Sequence, residues 1–131
     1  MIINNKMDIR NTNQKIAILN YLKNVYTHPT AEMVYQEVKK KLPVITLATV
    51  YRNLNKLAEQ GKISRLEINK KYHYDAELSS HQHCVCNKCS KIIDVHQDKI
   101  MQKAINSLQQ PEFQVSAVDI VFFGLCNSCK N

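Results

Sequence analysis

An α+β fold in two parts is what this sequence predicts: a winged helix over residues 1–74, then an α/β unit over residues 75–131. Three observations point there. The excess of positive charge is confined to one half: residues 1–71 hold 13 Lys/Arg against 5 Asp/Glu, and residues 72–131 hold 5 against 6, within a net charge of +7. All five cysteines lie in the other half. Apolar residues recur at helical spacing in the first part and alternate in places in the second.

Length sets the scale of each part. A chain of 131 residues makes one domain or two very small ones, and two small cores need a staple such as a metal or a subunit contact. The longest apolar stretch, Ile120 to Cys126, is too short to span a bilayer, and the N-terminus lacks the layout of a secretory signal. These features predict a soluble, cytoplasmic protein with no membrane partner. A basic half joined to a near-neutral one predicts that only the first meets a polyanion, unless the lysines merely solvate a surface.

In the first part, Thr12 is placed to cap a helix with Ile16, Leu19 and Leu22 to Val25 at helical spacing. His28-Pro29 interrupts the chain, because proline biases its predecessor away from helical angles. Thr30 begins a second helix, with Val34, Val38 and Leu42 on one face and Pro43 just beyond. Thr46 begins a third, with Val50, Leu54 and Leu57 inward and Gly61 as a left-handed stop. The outward side carries Thr49, Arg52, Asn53 and Lys56, with Tyr51 near its edge, a set suited to reading a major groove. Ile63 to Ile68 and Tyr72 to Tyr74 read as a hairpin joined around Asn69, Lys70 and Lys71, a wing with its lysines near phosphates. Three packed helices with a solvated charged face is the plainer alternative.

The second part is built around metal. Cys86 and Cys89, and Cys126 and Cys129, form two C-x-x-C pairs, a spacing that brings four thiolates to one zinc ion. Such a site is closed, and therefore structural rather than catalytic. A helix from about Gln97 to Gln109 and an alternating strand from Phe113 to Phe123 are expected between the pairs. A redox disulfide and unrelated buried cysteines compete with zinc, but a thioredoxin-like C-x-x-C should open a helix after a strand, which neither pair does. No residue is assigned a catalytic role. Just upstream, His81 and His83 alternate along a strand and can converge on one ion, with Asp75 before and Asp94 after them. Nitrogen with carboxylate suits Fe(II), Mn(II) or Zn(II). His73 and His96 are expected to be exposed polar residues, and Cys84 a small buried one.

THPTAEMVYQEV (27–38), TLATVYRNL (46–54), HQHCVCNKC (81–89) and FGLCNSC (123–129) together resemble the ferric-uptake-regulator superfamily of metalloregulators, from Arg10 to Cys129. The resemblance implies a winged helix, a dimerisation domain, a homodimer and a palindromic, AT-rich DNA operator bound by a metal-dependent repressor. It carries regulatory ligands to His28, Asp75, His81, His83 and Asp94, and DNA contacts to Arg10, Tyr51 and Arg52. Two aspartates with three histidines resemble the peroxide-sensing branch, in which Fe(II) reacts with peroxide and oxidises a ligand histidine, by position His28 or His81, whereas Mn(II) represses without reacting. A plain iron, manganese or zinc sensor is the alternative. The chain departs from the family in a short segment before Arg10, in Gln82 where an additional metal site would need an acid, and in the extra thiol of Cys84.

Overall fold

The computed structural model describes residues 5–79 and 81–131, and side chains from Thr12 onward. The chain forms two compact units, Met1–Leu78 and Ser79–Asn131.

In the first unit, helices α1 (Asn5–Lys23), α2 (Ala31–Val38) and α3 (Leu47–Glu59) precede a hairpin of β1 (Ser64–Ile68) and β2 (Lys71–Asp75). Helix α1 starts before Thr12, so that residue lies inside a helix and does not cap one. The inward face of α1 is Ile18 and Leu22, whereas Ile16 is half-exposed. The other two caps form as the sequence predicts. Thr30 Oγ1 accepts the Met33 N–H at 3.4 Å, and Thr46 Oγ1 accepts the Thr49 N–H at 3.2 Å. Each satisfies an amide that the first helical turn leaves without a partner. Gly61, at φ +72°, takes the left-handed turn that ends α3.

Val34, Val38, Val50, Leu54 and Leu57 meet Ile18, Leu22, Ile45 and Ile63 in one buried cluster, with Tyr74 of β2 completely enclosed among them. Tyr74 ties the hairpin to the helices twice. Its hydroxyl donates to Asn55 Oδ1 at 3.0 Å, and its amide donates to the Pro29 carbonyl at 2.9 Å. The hairpin register pairs Ile68 with Lys71, so Lys71 is a strand residue and only Asn69 and Lys70 turn. Both have positive φ (52° and 67°), as a two-residue turn matched to strand twist requires.

The second unit is a three-stranded sheet in the order β4-β3-β5 with one helix. Strand β3 (Gln82–Cys86) is central, antiparallel to β4 (Ile92–Val95) and parallel to β5 (Val121–Gly124). Helix α4 (Asp98–Ser107) falls within the expected span. The long strand expected from Phe113 is corrected: β5 begins only at Val121, because β3 offers partners from His83 to Cys86 alone. Among the described apolar residues here, only Val85, Cys86 and Met101 are buried. Phe113, Phe123 and Leu125 are more than half exposed, so apolar packing within this unit is thin.

Thr46 offers a clean test of the local reading. Replacing it with alanine removes a cap without touching the core, and should cost ~1 kcal/mol in urea unfolding with an unchanged denaturant slope. An unchanged midpoint would show that the Thr49 amide finds another acceptor.

Candidate metal centres and DNA-facing surface

The four sulfurs of Cys86, Cys89, Cys126 and Cys129 lie within 4.8 Å of one another. A tetrahedral zinc with sulfur bonds of ~2.3 Å needs sulfur–sulfur edges of ~3.8 Å. Cys89 and Cys126, from different turns, stand 3.7 Å apart, at that edge length, and the four sulfurs together are close enough to converge on one ion. The backbone builds the cage. Ser90, at φ 65°, closes the first turn by donating its amide to the Cys86 carbonyl, and the Cys129 amide closes the second on the Cys126 carbonyl. Cys86 Sγ accepts the amides of Cys89 and Cys126, each at 3.5 Å. Those two donors pull its thiol down to about 6, while hydrogen bonding to Cys126 first, and burial next, push Cys129 up to about 12. A thiolate is thus ready at Cys86 to receive a cation. Cys84 stands outside this set and is half-buried, not buried as expected.

Within the same unit, β3 and β4 pair His83 with Asp94. Asp94 Oδ1 lies 3.4 Å from His81 Nε2 and 3.5 Å from His83 Nε2. Ligands ~2.0–2.2 Å from one ion sit ~3.0–3.6 Å apart, so this triad has the spacing of a half-built coordination sphere. His81 is aimed by its other nitrogen, because Nδ1–H donates to the Ser79 carbonyl at 2.8 Å and leaves the lone pair on Nε2. His96, exposed as expected, stacks on that ring, 4.9 Å between centroids. Gln82, between the two histidines, is buried and points the other way, where Oε1 accepts the Gln97 amide at the start of α4.

The first unit presents a pair of the same kind. His28 is buried, and its Nε2 lies 3.1 Å from Asp75 Oδ2. Its backbone sits at φ 54°, a left-handed conformation that costs roughly 1–3 kcal/mol outside glycine. Two bonds from β2 offset that cost. Tyr74 grips Pro29, and His73 Nδ1–H donates to the His28 carbonyl at 2.7 Å. His73 is therefore no idle surface residue, as the sequence suggested, but a half-buried brace two residues from Asp75 on the same strand face. The signal that could have shown this is the alternation His73-x-Asp75 opposite an His-Pro corner.

Helix α3, expected to read DNA, is only partly as the sequence predicts. Tyr51, Arg52 and Lys56 of α3 are exposed, as is Lys70 in the wing turn. Arg52 Nη2 donates to Thr49 Oγ1 at 3.3 Å, which keeps the guanidinium along the helix. Asn53 is corrected: it is buried, and its amide donates back to the Thr49 carbonyl at 2.9 Å. Helical spacing places it one step inside the exposed arc. Arg10 lies in α1, and its side chain falls outside the described residues.

A basic winged helix followed by a cysteine-knotted sheet unit with a second His/Asp cluster defines a metal-responsive DNA-binding regulator. Residues 6–123 match the model of the Ferric uptake regulator family, and the chain belongs to that family. Repressors of this family dimerise and bind DNA. The chain is similar to the peroxide operon regulator of Bacillus subtilis, 34% identical over 123 residues, covering 93% of this chain and 85% of the relative. Its fold is similar to the Helicobacter pylori ferric uptake regulator Fur, a protein with three functional metal-binding sites, at a TM-score of 0.83 and 26% identity over 96% and 90% of the two chains. It is also similar to the Campylobacter jejuni peroxide stress regulator, at a TM-score of 0.75 and 32% identity over 95% of each chain.

Two outcomes check these assignments. Stripping zinc with a chelator should melt the second unit. A stripped protein with an unchanged melting profile would mean that the sulfurs are not a staple. Separately, His73→Phe orphans the His28 carbonyl and should lower stability by roughly 1–3 kcal/mol, with much of the loss recovered in His73→Asn, whose amide can donate from a similar position.

Proposed function

We propose that this protein is a metal-dependent transcriptional repressor that senses peroxide through a regulatory Fe(II), with Mn(II) as an unreactive corepressor. The observation that carries the reading is the ligand set, because each unit presents aspartate with histidine. The resemblance to the peroxide-sensing branch draws His28, Asp75, His81, His83 and Asp94 to one ion, which would hold the DNA-reading unit at one angle. Support comes from the His28–Asp75 and Asp94–His81/His83 spacings within each unit, and from the names of the relatives. The four cysteines would hold a structural zinc throughout.

In this reading Tyr51, Arg52 and Thr49 meet base edges, Lys70 meets phosphate, and Arg10 reaches the flanking minor groove. The operator would be palindromic and AT-rich, matching a homodimer. Exposed Phe122, Phe123 and Leu125 beside the open edge of β5 support a subunit contact there. The protein would act in the cytoplasm, where the DNA lies and zinc thiolates stay reduced. A bound iron supplies the peroxide chemistry. The protein's own part is to orient Nε2 of His81 through Ser79, and to brace His28 through His73.

Operator binding with and without Mn(II) tests the switch. Asp94→Ala should keep its zinc, its dimer and its metal-free melting temperature, yet lose metal-stimulated affinity, a coupling of ~1–3 kcal/mol in the wild type. Asp94→Glu should keep metal-dependent binding with altered peroxide sensitivity. In the wild type, Fe(II) loading without oxygen followed by a peroxide pulse should add oxygen to His28 or His81 by mass spectrometry. Metal-dependent binding without that mass change would make the protein a plain metal sensor, and metal-independent binding would remove the switch altogether.

A further inference from the structure

Glu32 is an acidic residue that the reading of a DNA-contacting surface leaves unexplained. It lies in the first turn of α2, exposed, at the positive end of that helix. Its Oε1 accepts the hydroxyl of Tyr51 at 2.5 Å, across to the outward edge of α3. The bond acts on both partners. Glu32 is held below the usual carboxylate range, first by the Tyr51 hydroxyl and then by backbone and Thr30 donors and by the charge of Lys71 in the wing. The Tyr51 phenol is pushed up to about 12, chiefly by the carboxylate that accepts its hydrogen bond. A negative charge thus sits against Tyr51 of α3 and within electrostatic reach of Lys71 in the hairpin, on a unit whose α3 and hairpin turn also expose Arg52, Lys56 and Lys70.

We propose that Glu32 is a specificity-determining residue, which ties the Tyr51 ring down on the reading face and excludes phosphate from the place beside it. The inference rests on the reading of α3 as the DNA-contacting helix. With its hydroxyl occupied by Glu32, Tyr51 presents a ring held in one position. That removes the freedom of a long side chain to adapt to whatever base lies opposite. The carboxylate acts on the backbone. In a docking register that carries a phosphate past Glu32, like charges meet, and at ~4 Å in high dielectric each such meeting costs about 1 kcal/mol, roughly fivefold in affinity. A register that keeps the phosphates on Arg52 and the wing lysines escapes this cost. Acid in a basic surface therefore weakens non-specific binding, which is electrostatic, more than specific binding, which is not wholly so.

The test uses the full-length protein loaded with Mn(II) and two duplexes of equal length and composition: one selected by the wild type from a randomised pool, the other scrambled. Glu32→Gln keeps an acceptor for Tyr51 and removes the charge. It should tighten binding to the scrambled duplex roughly fivefold, change binding to the selected duplex less than twofold, and steepen the salt dependence on the scrambled one. Glu32→Asp keeps the charge on an arm too short to hold Tyr51. It should weaken binding to the selected duplex and leave the scrambled one unchanged, and Tyr51 should then titrate nearer 10 in an ultraviolet scan. Equal shifts on both duplexes, or none, in the two variants would overturn the proposal while leaving DNA binding by α3 intact. A wild type that enriches no sequence from the pool would instead overturn the DNA-reading assignment, and the role of Glu32 with it.

Discussion

Convergence of four sulfurs on one small volume is the constraint on which the second unit depends. Cys86 and Cys126 stand 40 residues apart in the chain, yet the Cys126 amide donates to Cys86 Sγ. Few apolar side chains are buried around them, so a zinc ion held there supplies what a core would otherwise supply. The cage also governs what is next to it. Cys86 ends the same five-residue strand that carries His83, and His81 immediately precedes that strand. A metal that fixes the end of β3 therefore limits the slippage and fraying of the strand presenting the histidines. One-residue register shifts would turn both rings to the opposite face. The antiparallel partner supplies Asp94 opposite His83, and Gln82 clamps the start of α4 from the other side. One ion site, closed and structural, thus gives a second, open cluster its rigidity.

The first unit reaches a comparable result without metal. Its hairpin docks on three helices through the fully buried Tyr74, and the same strand delivers three side chains in alternation. Tyr74 points into the core, whereas His73 and Asp75 flank it on the other face and hold His28, one by its carbonyl and one at its ring. Left-handed backbone at a buried histidine is tolerated because both sides of the corner are bonded to β2. The β1–β2 hairpin, proposed to meet DNA, and the histidine corner are consequently one mechanical piece. Movement of β2 would be felt at Lys70 in the wing and at His28 alike, which is the kind of coupling a metal-responsive reader needs.

What the sequence determined by itself was the chemistry and the local stops. Residue types and spacing sufficed for the two C-x-x-C pairs, for the Thr30 and Thr46 caps, for the Gly61 stop and, to within Lys71, for the turn at Asn69 and Lys70, because each depends on atoms only a few residues apart. Tertiary structure decided what depends on distant partners. Asn53 lies at the border of the buried face set by Val50, Leu54 and Leu57, and packing, with its bond to the Thr49 carbonyl, put it on the inner side. The strand before Phe123 shrank to four residues because hydrogen-bonding partners, and not alternation, set its length. His73 and Glu32 acquired roles through contacts 45 and 19 residues away, with the His28 carbonyl and the Tyr51 hydroxyl. No periodicity encodes such pairings, since they arise only when packing brings separate segments of the chain within hydrogen-bonding reach.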